Sequence, residues 1–436
     1  MKKLITWMCF AGVLFLSAIP SAAAQESEAY QFENNITLSK ALNYAVQNNP
    51  RIKGLIAKWE AQIEKYREKT GLPDPMINIT YFPSPIETRL GPQDYNVTLS
   101  QGVPFPGKLG KKGTVAEKEI AVARLKLDRE INNIHAQIVK SYAELSYIRE
   151  AKKITYKNME LIDALTVQAE QTYARDNGLL MDIMRANSQK GQLQYDLILL
   201  NEIEKSQEAD LNSLMNRPPD APFGEMATLA VRPVVLSREE ILAKALENND
   251  AVKISQAMVD RADAIIDLAE TTSQPDFKFG LFYAGIGESD MNIEDSGKDA
   301  VGIQFGITIP LWSGKNNGKK LATLHEKKAA LAQKTETQNQ IQAMISKTLF
   351  KMENASRLIT LYKDELLPQA MNSMNTVELW FKENQTAFSD FLEAQSVVHN
   401  FQLAIARARA DYIKTLADLE NLAGTTLVAK ESTNEH

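Results

Sequence analysis

The chain has 436 residues but a single cysteine, Cys9, and only 4 histidines, His135, His325, His399 and His436. Without further cysteines there is no disulfide framework, no thiolate metal site and no lipid-modified N-terminal Cys. The histidines are scattered without ligand spacing and read as surface or packing residues. Gly (20) and Pro (16) are too sparse for a string of small compact domains. Past the N-terminus no apolar run approaches the roughly 20 residues of a spanning helix. A strong charge of one sign is also missing. The formal net charge is −6, with acids and bases interleaved, which argues against nucleic acid as a main partner. No Gly-rich phosphate loop, nucleophile elbow or pair of catalytic acids appears. An enzyme, a bound cofactor or a metal centre is therefore not expected. Met181 and Met184, beside Asp182, read as helix filler rather than as soft ligands for a cation such as Cu(I).

What is present begins with an export signal. Lys2 and Lys3 precede an apolar core from Leu4 to Ile19, and Ala22-Ala23-Ala24 offers a small-residue cleavage site. Cleavage there makes 1–24 the leader and Gln25 the first mature residue, followed by a polar lead-in over 25–36.

Val301 to Ile309 alternates bulky apolar residues with Gly302, Gln304, Gly306 and Thr308, the period of a strand with one oily face. Pro310 removes the next ladder donor, Gly314 permits a bend, and a helical period takes over. The same junction occurs earlier, where Asn96–Val103 leads through Pro104 and Gly107 into another long helical run. These four residues, Pro104, Gly107, Pro310 and Gly314, mark two strand-to-helix corners.

The whole order is duplicated. A first repeat, 37–217, has short helices broken at Asn48-Asn49-Pro50, a hairpin over 76–103, a long helix over 110–174 and a return helix over 179–216. Within the hairpin, Met76–Phe82 and Tyr95–Val103 read as strands and 83–94 as a loop. Arg175-Asp176-Asn177-Gly178 reads as the turn between the two long helices. After a Pro-rich connector, 218–236, the second repeat covers 237–424. It has a hairpin over 277–309, a long helix over 317–382 interrupted by Pro368, and a return helix over 387–422. A tail, 425–436, follows. Ala245–Asp250 echoes Ala45–Pro50, Pro275-Asp276 echoes Pro73-Asp74, and Leu211, Leu214 and Asn216 match Leu416, Leu419 and Asn421. A helix of some 65 residues is on the order of 90 Å long.

The expected fold is mainly α with a small β part. Four strands of this length suit a tilted membrane barrel. Phe277, Phe279, Leu281, Tyr283, Val301, Ile303, Phe305, Ile307 and Ile309 would face outward. Lys278, Gly280, Phe282, Gly302, Gln304, Gly306 and Thr308 would face inward. Four strands cannot close alone and open edges are not tolerated in lipid, so several copies must pool strands.

From about Leu38 to Gly424, this order resembles a TolC-type outer-membrane factor. The segments Leu367-Pro368-Gln369-Ala370 and Ser389–Gln395 carry the likeness at the helical tip. The resemblance implies a homotrimer with a twelve-stranded barrel in the cell outer membrane and an α-helical tunnel through the periplasm. It also implies docking to a periplasmic adaptor (membrane fusion) protein and an inner-membrane pump of the resistance-nodulation-division type, without catalysis. A periplasmic gate would use Asp182, Asp390 and Glu393, while the family's locking Tyr and Arg positions hold Phe381 and Thr386. Gln101–Lys108 most resembles heavy-metal efflux members. A duct for type I protein secretion and an exported coiled-coil scaffold with soluble sheets are the alternatives.

Overall fold

The computed structural model describes residue 32 and residues 35–174, 180–227, 229–291, 294–383 and 385–428. The export signal with Cys9, most of the lead-in, the turn residues 175–178, Asn384 and His436 lie outside the described residues.

In order, the first repeat comprises β1 (Asn35–Ile36), α1 (Leu38–Asn48), α2 (Pro50–Thr70), β2 (Met76–Thr88), β3 (Gly91–Val103), α3 (Lys108–Tyr173) and α4 (Leu180–Met215). The second comprises β4 (Glu225–Met226), α5 (Arg238–Asn248), α6 (Asp250–Thr271), β5 (Phe277–Ile286), β6 (Ala300–Ile307), α7 (Ser313–Thr360), α8 (Leu367–Lys382) and α9 (Phe388–Ala423). At 1.5 Å per residue, the 66-residue α3 is about 100 Å long. The stripe of Leu127, Ile134, Ile138, Tyr142 and Leu145 along α3 is buried against α1, α2 and α4. A corresponding core in the second repeat joins α5, α7 and α9 through Ile241, Ile345, Leu349 and Leu419.

The duplication is clearest at one polar side chain. Asn49 caps α2 by accepting from the N–H groups of Arg51 and Ile52, while its Nδ2 donates to the Leu214 carbonyl at 2.7 Å. Asn249 caps α6 through Ala251 and Val252 and donates to the Leu422 carbonyl at 2.9 Å. Each amide therefore satisfies orphan groups at a helix start and at the end of the return helix. This equivalence corrects the sequence match on the return helices. Leu214 corresponds to Leu422, three residues beyond Leu419, and Asn216 corresponds to Gly424. Those two residues share the left-handed conformation that ends a helix, with φ 57° and 66°. The apolar repeat recurs at steps of three and four, so a slip of three keeps leucines in register and hides the error.

Three further expectations change. The stretch 83–94 is not a loop, because β2 runs to Thr88 and β3 starts at Gly91. Pro83 and Pro85 fall inside a break in the β2·β3 register between Tyr81 and Ile86, on an edge strand, where no ladder donor is missed. Strand β6 ends at Ile307 rather than Ile309, with one more bond in register beyond it, from the Thr308 N–H to the Asp276 carbonyl at 2.8 Å. Pro368 does not break its helix. A π-helical turn over Leu361–Leu366 precedes it, and the Leu367 N–H donates to the Tyr362 carbonyl five residues back. The wider turn absorbs the missing donor and the ring, and the helix continues as α8.

Replacing Asn249 with Ala should destabilise the chain by about 1–2 kcal/mol, since a cap and a second buried bond are lost together. The midpoint of denaturant unfolding, followed by helical circular dichroism, measures this. Asn249→Asp should recover the cap but not the bond to Leu422.

Candidate functional site

The four long strands form one sheet in the order β2-β3-β5-β6, leaving β2 and β6 as open edges. Cross-strand rows sort its two faces. Ile77, Leu99, Leu281 and Ile303 form one row, and Ile79, Val97, Tyr283 and Val301 the next on the same face. On the opposite face the rows are Met76, Ser100, Gly280 and Gln304, then Asn78, Thr98, Phe282 and Gly302. The oily face is bare: Ile303 is 85% exposed, Val301 78% and Ile79 73%. Phe279 and Phe305 meet edge to face on it with ring centroids 5.4 Å apart. Among the described residues no helix is long and apolar enough to cross a membrane. The sheet carries the continuous apolar exterior.

The two corners are built differently. At the first, Gly107 takes φ 88°, a conformation that favours glycine. At the second, Gly314 already lies inside α7, so it is not the bend. The chain turns instead through two tight steps, with the N–H of Leu311 bonded to the Ile309 carbonyl and that of Ser313 to the Leu311 carbonyl. The inverse-γ geometry that such steps use needs no glycine. Pro104 directly follows the last residue of β3, and Pro310 stands three residues past the last residue of β6.

Sequence reasoning missed the clasp at the first corner. The Asp276 carboxylate, just ahead of β5, accepts from Lys108 Nζ at 2.7 and 2.8 Å and from the Phe105 N–H at 2.9 Å. Burial pushes this carboxyl up, but the Lys108 ammonium, the Phe105 N–H and the field of Lys112 outweigh it and hold it below the usual range. The clasp ties the corner of one repeat to the start of the hairpin in the other. Nothing in the spacing pairs positions 108 and 276; only the β3·β5 junction does.

At the far end of the helices, Ile162 and Leu165 of α3, Ala186 and Leu193 of α4, and Phe388 and Phe391 of α9 form one buried cluster, against which Phe381 of α8 packs. The Phe381 ring lies 5.4 Å from that of Phe388 and 6.4 Å from that of Phe391. Asp182 and Asp390 occupy the first turns of α4 and α9, beside this cluster, where a helix N-terminus favours a carboxylate. Thr386 Oγ1 donates to Asp390 Oδ2 at 2.5 Å, and Glu393 lies exposed one turn on. The structure thus gathers Asp182, Asp390, Glu393, Phe381 and Thr386 at one end of the molecule. Met181 and Met184 are exposed beside them.

A second missed feature lies between α3 and α9, where Gln395 Nε2 donates to Asn158 Oδ1 at 2.6 Å in a buried setting. One turn further on, His399 is buried, and burial holds its imidazole below the ordinary value against the opposing field of Asp196. His135 and His325 are exposed. Among the described residues no group of three His, Cys, Asp or Glu side chains could hold a metal ion.

A four-stranded sheet with one bare oily face, standing on paired helices about 100 Å long, defines a channel-forming protein of the outer-membrane type. The model of the outer membrane efflux protein family matches residues 241–425. That match covers the second repeat, and the fold along the chain is that of TolC-type outer-membrane channels. It is 22% identical over 397 residues to the cobalt-zinc-cadmium resistance protein CzcC of Cupriavidus metallidurans, covering 89% of this chain and 88% of that one. Among solved structures, VceC of Vibrio cholerae superposes with a TM-score of 0.73 at 18% identity, over 89% of this chain and 96% of that one. CusC gives a TM-score of 0.74 at 11% identity, over 89% and 92%. The open state of MtrE from Neisseria gonorrhoeae gives 0.71 at 17%, over 90% and 89%.

Two outcomes follow from this geometry. Phe305→Arg should reduce the membrane-inserted protein, because an Arg on the lipid face near the midplane costs about 2–4 kcal/mol. Gln304→Arg, on the other face, should leave it unchanged. Outer-membrane levels of the two variants, compared by immunoblot, check the facing. Asp276→Asn should weaken the first corner by about 1–2 kcal/mol, discounted for its partial exposure. Because the Asp276 carboxyl is held low, its contribution is complete above the unfolded carboxylate pKa. It should be lost as pH falls through the folded value. The difference between wild type and Asp276→Asn in unfolding midpoint should therefore shrink in strong acid.

Proposed function

We propose that three copies close into a twelve-stranded barrel, and that their helices form a periplasmic tunnel docked to an adaptor protein and an inner-membrane pump of the resistance-nodulation-division type. The observation that carries this reading is the apolar sheet face with two unpaired edges. A lipid-facing sheet needs every edge paired, and four strands fall short of the smallest closed barrels. Cross-linking of outer-membrane extracts tests it: the expected product is a trimer, and a membrane-inserted monomer would overturn it.

The cargo we assign is transition-metal cations. The likeness to a cobalt-zinc-cadmium resistance protein along 89% of this chain supports that assignment. Loss of this chain should lower tolerance to cobalt, zinc or cadmium salts and leave dye and detergent tolerance unchanged. The opposite pattern would assign the duct to organic substrates.

The tip acts as the gate. Asp390 and Glu393 are three residues apart on one helix face. Around a threefold axis they and Asp182 would stack as acidic rings, which attract cations in a narrow pore. Asp390→Asn with Glu393→Gln should lower cation-over-anion selectivity and block by multivalent cations in planar bilayers, at unchanged trimer yield. Unaltered selectivity would move these carboxylates away from the pore. Phe381 replaces the family's lock with packing onto Phe388 and Phe391, and Thr386 holds Asp390 in place.

A further inference from the structure

We propose that the clasp between Lys108 and Asp276 inside the chain is repeated between chains. In this arrangement Lys315 of one protomer binds the partner's Asp74 and fixes the register of the seam where β6 meets the partner's β2. The inference rests on the trimer proposed above.

The repeats themselves supply the geometry. Pro73-Asp74 corresponds to Pro275-Asp276, Val103-Pro104 to Ile309-Pro310, and Gly107-Lys108 to Gly314-Lys315. The two hairpins obey this correspondence. Met76 lies opposite Ser100, and its counterpart Lys278 lies opposite Gly306, the counterpart of Ser100. The junction between repeats places Val103 opposite Phe277, which brings Lys108 and Phe105 onto Asp276. Carried once more around the ring, that junction places Ile309 opposite the partner's Pro75. Ile307 then faces the partner's Ile77, Phe305 the partner's Ile79 and Ile303 the partner's Tyr81. All of these residues belong to the oily face, so the apolar exterior continues across the seam.

A slip of one residue would turn that face inward, so the side-chain pattern excludes it. A slip of two keeps the faces and changes only the corner. The choice between these registers therefore falls to groups at the inner rim, and two stand ready. Asp74 and Lys315 are both exposed, and neither makes a hydrogen bond or ion pair among the described residues, whereas Asp276 accepts three. Lys315 also lies in the first turn of α7, which contains no acid, where a cation opposes the helix dipole until a carboxylate reaches it. The second corner is one residue longer than the first and its helix begins at Ser313, so the ammonium reaches from the helix rather than from its first residue.

The chain allows a clean test, because its only native thiol, Cys9, falls within the export signal that is cleaved from the mature protein. Directly opposite residues bring their Cβ atoms within about 4.5–5.5 Å, and residues displaced by two lie about 7–8 Å apart, beyond disulfide reach. Ile307→Cys with Ile77→Cys should therefore give covalent dimers and trimers on oxidation of outer membranes. Yields should exceed those of Ile307→Cys with Ile79→Cys by about tenfold. In a second arm, Lys315→Glu should lower the temperature at which the trimer dissociates in detergent, and adding Asp74→Lys should restore most of the loss. Preferential cross-linking of the displaced pair, or no restoration by the double charge reversal, overturns the clasp. A wild-type chain that amine cross-linkers leave monomeric in the membrane would instead overturn the trimer. The cysteine arm stands even if Lys315→Glu fails to accumulate.

Discussion

A backbone N–H or C=O facing hydrocarbon has no water to bond, and the rest of this structure depends on that constraint. It explains why the membrane-facing part is a sheet, why one face of the sheet is apolar except for Gln101 close to the inner rim, and why its two edges require partners. It also explains where the prolines sit. Pro83 and Pro85 lie in a register break on an edge strand, while Pro104 and Pro310 stand just past the strand ends. No proline interrupts an observed ladder bond.

Below the sheet the problem is of the opposite kind. Long helices satisfy their own backbones and need only be held side by side. Packing along the α3 stripe does most of this, and polar groups act at the ends. Asn49 and Asn249 bind helix starts to helix ends, and the Lys108–Asp276 clasp binds a corner of one repeat to a hairpin of the other. At the far end, the shared phenylalanine cluster joins both helical hairpins and sets the carboxylates at the rim of the proposed gate. The π-turn ahead of Pro368 lets one helix pass from the middle of the molecule to that tip without a break.

Duplication gives the chain an economy of design, with one solution used twice and varied where the repeats must differ. The corner after β3 uses a left-handed glycine, and the corner after β6 uses two tight steps through Leu311 and Trp312. The carboxylate at the first corner is engaged, while its counterpart Asp74 and the matching Lys315 make no ion pair among the described residues. Within the proposed trimer, that difference separates a junction inside a protomer from one between protomers.

Much was legible in the sequence because it depends on period. Alternation over 301–307, helical spacing from 127 to 148 and Pro/Gly punctuation at 104–107 report local structure directly. The same periodicity misled where it is degenerate, as on the return helices, where a slip of three residues preserves the leucines. Prolines also suggested a loop at 83–94 that the edge strand accommodates, and a break at 368 that a π-turn removes. Only the tertiary structure decided the pairings Lys108–Asp276, Asn249–Leu422 and Gln395–Asn158. Their partners lie between 168 and 237 residues apart, so no local signal links them. The sequence by itself determined which faces are oily, because side-chain direction follows the local backbone. Which polar groups meet was decided by how helices and strands from two repeats come together, because a hydrogen bond requires positions in space that no local period encodes.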